Sequence, residues 1–124
     1  MKTIIAVFVG SGFGGLTRYF LGKWVNGLYN HHFPFATFFV NFIACLALGF
    51  VIGLADHKQL ISPTTRLFWT VGFCGGFSTF STFSSETLTL FQQGHHISLT
   101  IYIVASIVLC VTATFAGLLL AQRL

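Results

Sequence analysis

Polar residues punctuate this chain instead of alternating with apolar ones. Four long apolar runs, Thr3 to about Tyr29, Phe33 to Ala55, Leu67 to Gln92 and Ile97 to Ala121, are separated by short polar clusters. Asn30-His31-His32 stands before Pro34, Asp56-His57-Lys58-Gln59 leads to Ser62-Pro63, and Gln92-Gln93-Gly94-His95-His96 closes the third run. Each run is long enough for a helix to cross a bilayer, which takes about 20 mostly apolar residues. Only helices and closed barrels satisfy every backbone group in lipid, and runs of this length predict helices. The expectation is a single all-α transmembrane domain over residues 1–124, with spans at approximately 3–29, 33–55, 67–92 and 97–121.

Composition agrees. Of 124 residues, 55% are hydrophobic and 6% charged, where a soluble domain carries about 25% charged residues. Four spans leave no room for a soluble domain. The first run continues past Tyr19 to Leu21 without a small-residue cleavage site, so it reads as a mature span and not a signal peptide. Trp24, Tyr29 and Trp69 lie near run ends, where amphipathic rings suit the headgroup region. Lys2, Lys58, Arg66 and Arg123 fall on the side of the two termini, against Lys23 opposite. That is a modest preference for cytoplasmic termini. The net charge of +4 is not gathered into a basic face, so nucleic acid is excluded as a partner.

Several motifs are decoys. Gly10-Ser11-Gly12-Phe13-Gly14-Gly15 matches the dinucleotide fingerprint, but the acid expected about 20 residues on is missing. Cys45, Cys74 and Cys110 each stand alone in an apolar run, with no paired spacing. His31-His32 and His95-His96 fall in loops on one side of the membrane, where a solvated or structural role outweighs metal binding. No nucleophile stands beside a base, so an enzyme is not expected.

The third run is too polar to face lipid. Glycine pairs at four-residue spacing recur as Gly10 with Gly14, Gly49 with Gly53, and Gly72 with Gly76, and the first two read as tight helix packing. In the third pair Gly75 and Gly76 are adjacent and precede Phe77-Ser78-Thr79, which predicts a helix break from Gly75 to Thr79. From Ser78 to Thr87, seven of ten positions carry hydroxyls. On a helical wheel Ser78, Thr79, Ser81, Thr82, Ser85 and Glu86 share one broad side, and Phe80, Phe83, Ser84 and Thr87 the other. Hydroxyls can satisfy carbonyls of their own helix, but so many favour a hydrophilic path. Glu86, ionisable within a span, is a functional candidate by default, though its place near the end also suits an interfacial or capping role.

Hydroxyl and amide donors beside positively polarised phenyl edges suit an anion. Asn41, a lone amide in the second run, is either a donor to that path or a helix-to-helix hydrogen bond. A broken helix also frees carbonyls, which can hold a small cation.

At these residues the chain resembles a known family. Gly72-Phe73-Cys74-Gly75-Gly76-Phe77-Ser78-Thr79-Phe80-Ser81-Thr82-Phe83-Ser84-Ser85-Glu86 is similar to the signature of the CrcB/Fluc fluoride channels. Gly14-Gly15-Leu16-Thr17-Arg18-Tyr19 resembles the family's first-span motif, and Ala36-Thr37-Phe38-Phe39-Val40-Asn41 its second-span motif, with alanine where glycine is commoner. The resemblance implies a dual-topology antiparallel homodimer in the cell inner membrane, with a third helix broken near mid-membrane and two fluoride pores. It also implies one structural sodium ion at the dimer centre, held by the carbonyls of Gly75 and Ser78. Asn41, Phe80 and Phe83 would line each pore, with Ser81, Thr82 and Ser84 as a hydroxyl track and Tyr102 and Ser106 beside it. Arg18 would either attract anions in a vestibule or orient the dimer. The implied function is passive fluoride export that lowers cytoplasmic fluoride.

Two other readings share the architecture. A small proton-coupled multidrug exporter needs a first-span carboxylate, and this chain has none there. A membrane assembly subunit without transport of its own leaves the third-run hydroxyls unexplained.

Overall fold

Six helices account for nearly the whole chain in the computed structural model, which describes residues 1–124 apart from the side chain of Lys58. They are α1 (Lys2–Leu28), α2 (Phe35–Lys58), α3 (Pro63–Leu67), α4 (Gly75–Phe77), α5 (Phe80–Gln92) and α6 (His96–Arg123), with a π-helical stretch, Phe68–Cys74, joining α3 to α4. There is no strand among the described residues. Three helices, over Lys2–Leu28, Phe35–His57 and His96–Arg123, are long and apolar enough to cross a membrane.

Local chemistry sets the element ends. Ser62 caps α3 by accepting from the Thr65 amide, and Pro63 takes the first helical position, where its missing N–H costs nothing. Pro34 falls one residue before α2 begins. At the far end of α2, Gln59 adopts a left-handed conformation (φ 47°) that turns the chain out of the helix.

Close backbone approach builds the bundle. A Cβ at Gly10 would lie 3.1 Å from the Gly72 Cα, and one at Gly14 2.8 Å from the Phe77 amide. At Gly76 it would strike the Ser11 carbonyl. α1 therefore lies against the stretch from Phe68 to Phe77 with only glycines between the backbones. A second seam joins α2 to α6: Gly49 abuts the Thr114 carbonyl, Gly53 would meet the Ala121 Cβ at 2.6 Å, and Gly117 the Phe50 amide at 2.7 Å. Residue numbers rise together along both seams, so each pair runs parallel and the intervening element runs back. Between the seams sits a small core of Val40, Ala44 and Phe77, flanked by Leu21, Ile43 and Phe73.

Outward positions are apolar. Ile4, Phe8, Phe20, Val108 and Leu119 are all more than half exposed, a surface suited to lipid and not to water. Polar ties sit at the two ends. Arg66 pairs with Asp56 at 2.7 Å, and Gln122 meets His57 at 2.7 Å. At the opposite end His32 stacks on His95, with ring centroids 4.1 Å apart and 12° between planes, and its Nε2 lies 2.8 Å from the Ser98 hydroxyl. The two histidine pairs, separate in sequence, thus clasp the α1–α2 and α5–α6 connections. Burial first, then the neighbouring His31 and His95, holds the His32 pKa below its ordinary value.

Candidate functional site

The helical run from α3 to α5 is interrupted at Ser78 and Thr79, both extended (ψ 158° and 122°). The interruption is shorter than glycine content suggests: Gly75 and Gly76 are helical, and Gly76 serves the close approach to α1. Side chains create the break. The Asn41 carbonyl oxygen accepts from the Thr79 amide at 2.8 Å, while its Nδ2 donates to the Thr79 carbonyl at 3.0 Å. The Thr79 hydroxyl then caps α5 by accepting from the Thr82 amide at 3.2 Å.

These diversions free two carbonyls. In an unbroken helix the Thr79 amide would donate to Gly75 and the Thr82 amide to Ser78; here both amides donate to side chains instead. Gly75 and Ser78 line one small hollow of about 110 Å³, together with Ala44, Cys45, Leu48, Thr70 and Cys74. Their carbonyl oxygens are hard donors of the kind that a small cation takes.

On the other side of the break lies a second hollow, about 300 Å³, bordered by Asn41, Ser78, Thr79, Phe80, Phe83 and Ser106. Ser106 is 8% exposed, and its hydroxyl is buried with no hydrogen-bond partner. Asn41 keeps one N–H beyond the bond it gives Thr79. Phe80 and Phe83 are neighbours at 5.5 Å, and Phe83 leans on Tyr102 at 4.9 Å. Phe80 is nonetheless 77% exposed in the single chain.

A third hollow, about 510 Å³, opens on the opposite flank of α5, where Arg18, Lys23, Asn26, Thr37, Thr82 and Glu86 meet. Glu86 is held at both oxygens: the Thr37 hydroxyl donates to one and the fully buried Tyr102 hydroxyl to the other, each at 2.7 Å. α5 thus separates a phenyl-lined hollow from a charged one. Ser81 and Ser84 are exposed and border neither, although Ser81 lies 3.4 Å from the Thr79 hydroxyl. Thr87 and Thr89 return their hydroxyls to carbonyls of their own helix.

A family model described as "CrcB-like protein, Camphor Resistance (CrcB)" matches residues 5–118. The chain belongs to the CrcB family. Among its relatives are proteins named fluoride-specific ion channel FluC: those of Pelobacter propionicus and Geobacter sulfurreducens are each 40% identical over 124 residues, all of this chain and 96% and 100% of theirs. That of Pyrococcus abyssi is 38% identical over 123 residues, 99% of this chain and 98% of its own. With its three long apolar helices, this CrcB chain is a multi-pass membrane protein.

Within this CrcB chain, sequence reasoning passed over Thr37 and the capping role of Thr79. Thr37 precedes Asn41 by four residues, so both project from one face of α2, and that spacing was the available signal. Cys45 and Cys110, solitary in sequence, come to border one hollow from α2 and α6.

Proposed function

We propose that this chain is a fluoride channel that exports fluoride passively through the cell inner membrane. The observation that carries the reading is the Ser106 hydroxyl, buried without a partner beside Asn41, Phe80 and Phe83. A buried orphan donor costs about 1–3 kcal/mol, and an anion bound there would offset that cost. The relatives' printed names supply the ion: fluoride.

The residues divide the work. Fluoride gives up tightly held water, so donors and phenyl edges must replace it closely. Ser106 and the free N–H of Asn41 donate; Phe80 and Phe83 present ring edges. Ser81, Thr82 and Ser84 lie outside the phenyl-lined hollow on exposed α5 surface, and their hydroxyls join the donor track where a second copy covers them. Tyr102, whose proton is committed to Glu86, acts by packing against Phe83 and by fixing that carboxylate. Arg18 makes the charged hollow attractive to anions, while Glu86 limits its positive charge. The alternative role of Arg18 is to orient the dimer.

The assembly is an antiparallel homodimer in dual topology, with residues 63–92 crossing the membrane as one span interrupted at Ser78 and Thr79. The exposure of Phe80 beside a buried donor supports a second copy, whose own phenylalanines complete each pore. A sodium ion at the dimer centre fits the carbonyls of Gly75 and Ser78 that the break releases. When bound, it supplies positive charge that draws the carbonyls of two copies together. Export needs no coupled ion: an inside-negative potential drives an anion outward with about 2.3 kcal/mol per charge per 100 mV. Protonated fluoride, being neutral, crosses lipid inward and dissociates, so a passive path relieves the cell.

The reading is tested in cells that lack a fluoride exporter. Expressing this chain in acidic medium should lower retained fluoride and restore growth; retention equal to that of the empty vector would contradict it.

A further inference from the structure

Two of the three cysteines are solitary only in sequence. Cys45 on α2 and Cys110 on α6 both line the hollow that holds Asn41, Phe80, Phe83 and Ser106. Their spacing is held by backbone. One turn further along each helix, Gly49 abuts the Thr114 carbonyl, and Gly117 closes on Phe50. Neither helix can rotate or withdraw without lifting that seam, so the two sulfurs stay at one level. Both cysteines are free. Beside them the wall is apolar, with Ile107 and Val111.

We propose that Cys45 and Cys110 form a two-coordinate site for a soft d10 metal cation, with Hg²⁺ as its type. Thiolate sulfur is the ligand that selects soft metals over the hard cations preferred by carbonyl oxygen. Binding is balanced as two thiols plus Hg²⁺ giving a neutral S–Hg–S bridge plus two protons, which leave through the hollow to water. Neutrality matters in this place. Two thiolates cancel the charge of a divalent ion, so the complex adds no net charge to an apolar wall. Cys74 lies outside this hollow: it borders the smaller one with Gly75 and Ser78, which Cys45 also reaches. No group of three or more metal-ligating side chains occurs among the described residues, so the site is a thiol pair and not a cage.

The bridge would sit in the hollow assigned above to fluoride. Resting on that reading, metal occupancy closes the path, and this chain is a fluoride channel blocked by soft metals. Closure needs no conformational change, because the metal stands where the ion must pass.

The test uses the full chain, reduced with a dithiol, desalted, and exposed to mercuric chloride, then washed with the monothiol β-mercaptoethanol. Wild type should retain one Hg²⁺ per chain through that wash and release it to dithiothreitol. Cys45→Ser and Cys110→Ser should each lose most of the metal to the monothiol, whereas Cys74→Ser should retain it. Retention in both single variants equal to wild type, or no retention in wild type, would overturn the site. In liposomes, Hg²⁺ should slow wild-type fluoride efflux by roughly tenfold or more and leave Cys45→Ser efflux at its own metal-free rate. Metal retained with efflux unchanged would overturn the block. A chain with no efflux before metal is added would instead contradict the channel reading, and the retention measurement would still judge the thiol pair.

Discussion

Asn41 and Thr79 hold each other at both ends: the amide oxygen of Asn41 takes the Thr79 N–H, and its nitrogen gives to the Thr79 carbonyl. One side chain from α2 thereby takes the Thr79 amide that a continuous helix would bond to Gly75, and adds a bond to the carbonyl. Removing it strands the buried Thr79 N–H, at a cost of about 1–3 kcal/mol. Asn41→Ala should therefore unfold at lower temperature in detergent. Asn41→Asp, which keeps the acceptor and loses the donor, should fall between. Equal melting of all three would show that the break stands without Asn41.

Sequence reading reached this region but misjudged its cause. Adjacent glycines are poor helix formers, and Gly75-Gly76 drew the break towards themselves. The task of Gly76 is steric: helix α1 lies so close that no room is left for a Cβ beside Ser11. The extended residues are Ser78 and Thr79, because an amide on another helix competes for their backbone. That competition is tertiary and has no local signature. For Asn41, position alone left a donor role and a helix-to-helix bond equally open; the bond is made, and one N–H remains. Similarly, four apolar runs are readable from hydropathy, yet nothing in the spacing of His31-His32 and His95-His96 announces that His32 stacks on His95.

Ser106 separates function from stability. Its hydroxyl is buried and unpartnered, so Ser106→Ala removes a desolvated group without breaking a bond. Thermal stability should be unchanged or slightly raised. Fluoride flux should drop about tenfold, the rate equivalent of one hydrogen bond to an anion worth about 1.5 kcal/mol. A stable variant with wild-type flux would remove Ser106 from the path.

Glycine at position 49 is fixed by geometry. A Cβ there would press on the Thr114 carbonyl, which belongs to helix backbone and cannot swing away. Gly49→Val should lose about 1–3 kcal/mol through forced separation of α2 and α6, seen as a lower melting temperature. Gly12→Ala, where nothing lies within 4 Å of the added carbon, should melt as wild type or higher. Equal losses in the two variants would mean that close approach is not what Gly49 provides.

The histidine clasp gives a pH dependence of known sign. His32 has its pKa below the ordinary 6.5, so the folded clasp prefers the neutral ring. The unfolded chain therefore binds more protons between that lowered value and 6.5, and stability falls as pH falls through this window. Above 6.5 the contribution is complete. Hydrogen exchange at residues 30–34 and 93–97 should speed up on acidification beyond the intrinsic rate change. In His32→Gln the additional acceleration should vanish; its persistence would place the titration elsewhere.

Ion flux from liposomes decides whether this chain passes fluoride. Purified protein is reconstituted with fluoride inside, and release is followed by an ion electrode once a potassium ionophore relieves the charge. Rapid fluoride release that requires the ionophore, with chloride retained, is the expected result. Phe80→Ile and Phe83→Ile should slow it while leaving the assembly size unchanged. Release no faster than from protein-free liposomes would mean that the chain is not a fluoride channel.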